Sequence, residues 1–354
     1  MKNVEPHDAA TVVSASGLED VVAAVTRLSD VDGERGRLVI AGRPVEELAG
    51  TVPFEEVAGM LLGRPVSARA LGDAREAAFE QLADLGDALT LPDAMDALRA
   101  ATAHLSGGDP IAILGALAVF AAAWARQGAP LRPDPRASHA ADYLRMATGL
   151  EPSPAAAATL DAYLVTVADH GMNASTFAAR VVASTASDTV SAVVAALGAL
   201  KGKLHGGAPG PVLDMLDAIG EPAQARAWIE AALARGERIM GMGHRVYRVR
   251  DPRAFVLERA IGTLDVSPRL RLARAVETEA EAILAARHPD RPLKGNVEFY
   301  TAVLLEAVGL PRALFTPTFA VSRVAGWCAH VEEQRRVGRL IRPRSRYVDA
   351  PPIA

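Results

Sequence analysis

Apolar positions recur with helical spacing along most of the chain, and the β-branched alternation of strands is nearly absent beyond its N-terminal stretch. The exception is Val21 to Ile40. There Val-Val-Ala-Ala-Val-Thr and Arg-Leu-Val-Ile surround the turn signal Asp30-Val-Asp-Gly-Glu, which predicts a short strand pair. A helix is expected to start at Pro53-Phe-Glu-Glu-Val, with Thr51 as its cap. Alanine-rich helical patterns then cover 66–84, 93–105, 110–126, 136–148, 154–168, 174–185 and 188–200. Further helices are expected near 210–219, 222–235, 252–263, 268–287, 297–308 and 317–335, with Pro222, Pro252 and Pro268 at first-turn positions. Small residues at so many positions let helices approach closely, which favours a large all-α fold. Breaks rich in Gly or Pro fall at 201–211, 236–243 and 288–296.

A chain of 354 residues, half of them hydrophobic and 23% charged, is globular and long enough for two unequal domains. Its net charge of -4 argues against nucleic acid or an anionic membrane as the main partner. Cys328 is the single cysteine, which suits a reducing cytosol. The first residues, Met-Lys-Asn-Val-Glu-Pro-His-Asp, lack an apolar signal core, so a cytoplasmic protein is expected. The longest apolar run, Pro110 to Ala125, falls short of the roughly 20 residues that cross a bilayer and reads as a buried helix.

Four segments carry the chemistry, and each is placed beside a break or a helix end. They are Ala-Asp-His-Gly-Met-Asn-Ala-Ser-Thr with His170, Lys-Leu-His-Gly-Gly-Ala-Pro with His205, Gly-Met-Gly-His-Arg-Val-Tyr-Arg with His244, and Gly-Asn-Val-Glu-Phe-Tyr with Glu298. Imidazoles exchange protons near neutral pH and a desolvated carboxylate is a stronger base, so the set points to proton transfer. Arg245, Arg248, Arg250 and Arg253 crowd behind His244, and guanidinium forks grip carboxylates and phosphates at two points. The substrate is therefore expected to be anionic.

Each segment also has a plainer reading. The glycines after His205 end a helix and leave the ring exposed; the arginine run is a solvated basic turn; Asn173 or Ser175 caps a helix next to His170; Glu298 compensates a helix dipole. Other chemistries find less support. There is no His pair at metal-ligand helical spacing, no CxxC, no serine nucleophile elbow and no phosphate-cradling glycine loop after a strand. No metal is expected.

Taken in order, together with Phe319-Ala-Val-Ser-Arg-Val-Ala-Gly-Trp-Cys-Ala-His and Arg342-Pro, these segments resemble citrate synthase. Gly17-Leu-Glu-Asp-Val-Val and Ser29-Asp-Val-Asp-Gly-Glu-Arg-Gly-Arg-Leu resemble the shorter bacterial and archaeal members, so the likeness runs nearly end to end. The resemblance implies a two-domain, mostly helical homodimer with a shared active site. Its large domain would take 1–206 and 315–354, and a small domain, 207–314, would close over the substrates. It implies condensation of acetyl-CoA with oxaloacetate and hydrolysis of the thioester to citrate and CoA. No tightly bound cofactor is implied, since the coenzyme A thioester is a co-substrate. By motif, Glu298 stands where the family has its enolising Asp. His205 matches the histidine that bonds the thioester oxygen, and His244 the one that binds and protonates the oxaloacetate carbonyl. His170, Arg253 and Arg323 match oxaloacetate ligands, Arg342 the arginine lent by the partner subunit, and Arg248 with the backbone of Ile239, Met240, Gly241, Met242 and Gly243 the coenzyme A site.

Two positions depart from the family pattern: Glu298 is one methylene longer than the usual Asp, and Pro209 replaces the usual Asn after His-Gly-Gly-Ala. Within the class, 2-methylcitrate synthesis from propionyl-CoA is the alternative, because one methyl changes pocket binding by only about 1–3 kcal/mol. Outside it stands a binder of CoA or dicarboxylates with weak turnover, a role that needs no full acid–base set.

Overall fold

The computed structural model describes residues 18, 21–127, 129–206, 209–264, 268–290, 293–345 and 347. Three short antiparallel strands come first: β1 (Ser29–Asp32), β2 (Arg37–Ile40) and β3 (Arg43–Pro44), with Ser29 opposite Ile40 and Ile40 opposite Arg43. The hairpin is thus present, but its first strand is the segment expected to turn. The stretch 21–26 is not a strand and is largely exposed, whereas Leu38 and Ile40 bury one face of β2 completely. Alternation anchored on those two side chains sets the register.

The helices are α1 (Val45–Leu48), α2 (Phe54–Leu62), α3 (Ala68–Glu80), α4 (Ala94–Ala103), α5 (Pro110–Ala125), α6 (His139–Thr148), α7 (Pro154–Val167), α8 (Ala174–Ala183) and α9 (Thr189–Leu200). After these come α10 (Pro209–Ile219), α11 (Ala225–Ala234), α12 (Pro252–Ile261), α13 (Pro268–Arg287), α14 (Val297–Ala307) and α15 (Phe315–Val337). The fold is all-α, as the periodicity predicts. Short polar side chains begin most of the helices: Ser67, Asp93, Asp109, Ser138, Ser153, Asn173, Asp188, Asp251 and Asn296 each accept a first-turn backbone N–H. Thr51 is not among them. Its hydroxyl turns back to the carbonyls of Glu47 and Leu48 at the end of α1, and Pro53 opens α2 without a side-chain cap. Pro222 opens a 3-10 turn, so α11 begins three residues later than its proline suggests.

α15 is the spine of the molecule, buried from Phe315 to Val331 except at Thr316 and packed against α2, α5, α7, α8 and α9. Gly326 makes one of these contacts possible. A Cβ there would lie 2.5 Å from the carbonyl of Ala168, so only glycine lets the spine reach the end of α7. α10 to α14 pack among themselves, and α12 and α14 also meet α7. The carboxyl end of α7 and the amino ends of α8, α12 and α14 therefore converge, and four helix termini with short loops surround the chemical segments. No helix among the described residues is long and apolar enough to cross a membrane.

Candidate active site

His170 follows the last turn of α7, where Asn173 ends the break by capping α8 through the Thr176 N–H at 3.1 Å. The imidazole is buried, its Nε2 lies 3.1 Å from the Tyr247 hydroxyl, and its ring meets that of His244 edge-on at 5.8 Å. Burial holds its pKa well below the usual 6.5, and the charges of Arg253 and Arg323 add to that.

His244 has the most legible protonation. Its Nδ1 accepts the backbone N–H groups of Val246 at 3.0 Å and Tyr247 at 3.1 Å, so the ring proton belongs on Nε2. Arg253 Nη2 lies 3.4 Å from that same Nε2. A guanidinium only donates, so two donors face a common point, as they would around an incoming oxygen. Burial first, then Arg253, lowers the pKa of His244 to about 4, which keeps it a neutral donor.

Arg253 is fixed from below. Asp251 receives its Nε at 3.0 Å and Nη2 at 2.7 Å, caps α12, and accepts the Val297 N–H of α14 at 3.2 Å. One buried carboxylate thus ties the arginine to the first residue of α14. The next residue is Glu298. Asn296 caps that helix through the Glu298 N–H at 3.0 Å, and Asn296 in turn binds the backbone of Gly241 and Gly243. Glu298 Oε2 is sealed from solvent without a hydrogen-bond partner. Burial raises its pKa to about 7, with Arg253 opposing the rise.

His205 leaves α9 after the turn at 201–204, and its Nε2 meets Ser175 Oγ at 2.8 Å. Ser175, at the start of α8, also takes the indole N–H of Trp327 at 3.1 Å and has Asn173 Oδ1 at 2.8 Å; when its one proton turns to His205 Nε2, the ring N–H stands on Nδ1, free to donate to a ligand. The ring is seated and partly covered, which excludes the exposed-histidine alternative. Burial and then Arg323 lower its pKa to about 4. Arg323 itself, on α15, sends Nε to the Val167 carbonyl at 2.6 Å and stacks 4.6 Å over Phe319. Its Nη2 is buried with no partner, so half of the fork is free for a ligand. Burial lowers its pKa to about 10.

The arginine run behind His244 divides. Arg250 is held by Glu277 at 2.8 and 2.9 Å and by Glu258 at 2.7 Å, so its role is structural. Arg245 and Arg248 are exposed and Arg253 is buried. Ile239 to Gly243 form a ledge whose backbone pairs with the strand-like segment before α14: Met242 bridges Gly295 and Gly243 N–H meets the Lys294 carbonyl at 2.7 Å. Gly241 (φ 75°) and Gly243 (φ 84°) need left-handed backbone here, and a Cβ at Gly241 would strike Phe299 at 2.8 Å. Gly207 and Ala208 of the His205 motif lie outside the described residues.

Arg342 does not join the others within this chain. It is exposed, and its neighbour Ile341 is tied to Ser184 at the far end of α8. Ten residues of helix separate that end from Asn173, about 15 Å. Among the described residues no group of three or more His, Cys, Asp or Glu is placed to hold a metal ion. The sequence reading missed Asp251, Tyr247, Ser175 as the seat of His205, and Trp327. Only Asp251 carried a signal, as an Asp directly before a first-turn proline.

Three neutral imidazoles, a half-buried carboxylate with one sealed oxygen that titrates near neutrality, and two buried guanidinium groups define an acid–base enzyme for an anionic substrate. Comparison with known proteins is consistent with this. The sequence model described as citrate synthase, C-terminal domain, matches residues 17–344. Citrate synthase of Haloferax volcanii is 39% identical over 94% of this chain and 94% of its own. 2-Methylcitrate synthase of Mycobacterium tuberculosis is 38% identical over 94% of this chain and 89% of its own. The ternary complex of carboxymethyl coenzyme A and oxaloacetate with citrate synthase from Thermoplasma acidophilum superposes with a TM-score of 0.85 at 28% identity, covering 96% and 97% of the two chains. The chain belongs to the citrate synthase family, and its activity is of the citrate (Si)-synthase type.

Proposed function

We propose that this protein condenses acetyl-CoA with oxaloacetate and hydrolyses the resulting thioester to citrate and CoA. The observation that carries this assignment is the pairing of His244 Nε2 and Arg253 Nη2 as donors to one point, 3.4 Å apart, beside the orphaned carboxylate of Glu298.

Oxaloacetate offers a ketone oxygen and two carboxylates. The oxygen takes the His244 Nε2 proton, and Arg253, the free Nη2 of Arg323 and His170 bind the carboxylates, with Arg342 of a partner subunit completing the set. Glu298 removes a methyl proton from the thioester while His205 hydrogen-bonds the thioester oxygen. A thioester methyl is a weak carbon acid, so base and oxygen donor must act together. A positioned proton-transfer group contributes roughly 10²–10⁴-fold and an oxyanion donor about 3 kcal/mol. The enol carbon then attacks the ketone, whose oxygen takes the proton from His244, and the proton that Glu298 removed from the methyl replaces it on the ring. The ledge 239–243 and Arg248 hold coenzyme A, and a unit spanning 207–314 closes over both substrates to exclude water. The protein acts as a homodimer in the cytoplasm and uses no tightly bound cofactor.

A second reading is favoured by the relative named 2-methylcitrate synthase: propionyl-CoA as acyl donor. Release of free CoA thiol with oxaloacetate and either acetyl-CoA or propionyl-CoA decides between them by the ratio of kcat/KM. Oxaloacetate binding without thiol release from either would refute both.

A further inference from the structure

We propose that the N-terminal hairpin is a strut that positions the two histidine segments on either side of the oxaloacetate site, with Ser29 and Gly33 as its positioning residues. The proposal rests on the reading of His170 and His244 as ligands of that substrate.

The root of the hairpin is bonded into the buried part of the molecule. Ser29 Oγ donates to Asp169 Oδ2 at 2.5 Å and accepts the Gly171 N–H at 2.8 Å, so it grips the residues on both sides of His170. Asp169 is fully buried and is held in turn by His330 Nε2 at 3.2 Å. His330 Nδ1 faces Arg180 Nη1 at 2.9 Å. Since arginine only donates, this nitrogen accepts and Nε2 carries the proton toward Asp169. Arg180 continues to Glu333 at 2.7 Å, and Glu333 closes the circuit on the Arg27 N–H at 3.1 Å. Two residues of the hairpin root are therefore bound to a buried polar chain running through α8 and α15.

The tip reaches the other segment. The Gly33 carbonyl accepts the Arg248 N–H at 3.0 Å. A Cβ on Gly33 would lie 2.2 Å from the Val246 carbonyl oxygen and 2.7 Å from its carbon, both backbone atoms that cannot swing aside. At Gly36 (φ 62°) a Cβ would meet Val249 Cγ2 at 2.6 Å. The turn thus lies flat on 246–249, the stretch whose N–H groups at Val246 and Tyr247 fix the tautomer of His244. Between root and tip, His170 and Tyr247 touch at 3.1 Å. The hairpin sets the spacing of the His170 segment and the His244 loop, which belong to separate helical units under the proposed closure.

The test compares Ser29→Ala, Gly33→Ala and the control Arg37→Ala, which removes only the exposed pair with Asp30 on the same hairpin. Ser29→Ala keeps the hairpin's buried face and serves if Gly33→Ala folds poorly. Both positioning variants are expected to raise KM for oxaloacetate by at least about tenfold, the loss of a charge-assisted hydrogen bond, and to speed amide exchange in 244–250 without speeding it in α5 or α15. Arg37→Ala is expected to stay within about twofold of the parent. Unchanged KM and unchanged exchange in 244–250 would overturn the strut, as would exchange that rises equally in α5 and α15, which marks general destabilisation. If the parent protein releases no thiol, the proposed function fails, and amide exchange still decides the strut.

Discussion

Glu298→Gln separates chemistry from folding at one atom. The carboxyl of Glu298 is carried up from the usual 4.5 to about 7, chiefly by burial. At about 1.4 kcal/mol per pH unit, that distance corresponds to roughly 3 kcal/mol. The sign follows from which state holds the proton. The folded pKa is raised, so the protonated folded form is fully favoured below 4.5, and stability is lost as pH rises through about 7. Glutamine retains the neutral shape and cannot ionise. The variant is therefore expected to match the parent near pH 4 and to exceed it by roughly 3 kcal/mol at pH 8.

Turnover moves the opposite way. Losing the base lowers kcat by about 10²–10⁴-fold, while oxaloacetate, held by arginines and histidines, binds nearly as before. Urea unfolding from pH 4 to 8 gives the stability difference, and thiol release gives the rate. A variant that keeps its rate would show that Glu298 is not the base. A variant whose advantage over the parent is no larger at pH 8 than at pH 4 would show that the carboxylate is not desolvated, and the raised pKa would lose its cause.

Four other outcomes are expected. In the parent, kcat/KM should fall about tenfold per pH unit below about 7 as Glu298 takes a proton; a flat profile between pH 5 and 7 contradicts that. Ser175→Ala should leave the His205 ring without its 2.8 Å seat and lower turnover by about 100-fold, read as kcat with oxaloacetate affinity preserved. Asp251→Asn should cost about 3–5 kcal/mol by stranding the buried charge of Arg253, visible as a lowered unfolding midpoint together with weakened oxaloacetate binding. Subunits carrying Arg342→Ala, mixed with subunits carrying Glu298→Gln, should recover about a quarter of parental activity, since half the dimers are mixed and each holds one complete site; no recovery would refute a shared site.

The helices were legible because their signals are local. Asn173, Asp251 and Asn296 stand where capping chemistry requires them, and the proline at 252 marks its helix start from the sequence. The hairpin was half legible. Val21 to Thr26 has strand composition but no partner surface, and the strand formed instead at Ser29–Asp32, where pairing with β2 puts Leu38 and Ile40 into the core. Burial of Leu38 and Ile40 outweighed local propensity there.

The fate of the arginines was not legible, for a related reason. Arg248, Arg250 and Arg253 look alike in the sequence, yet Arg250 is neutralised by Glu277 and Glu258, Arg253 is aimed by Asp251 beside His244, and Arg248 stays exposed. What separates them is which carboxylate folding brings alongside, and one of the three, Glu277, comes from a different helix, α13. The same holds for the base. Glu298 is an ordinary first-turn acid by spacing, and it becomes one that titrates near neutrality only because α14 starts where α7 and α12 pack against it. An acid at a helix start becomes a catalyst when the surrounding helices remove its water and leave one oxygen unpaired, and that condition belongs to the packing.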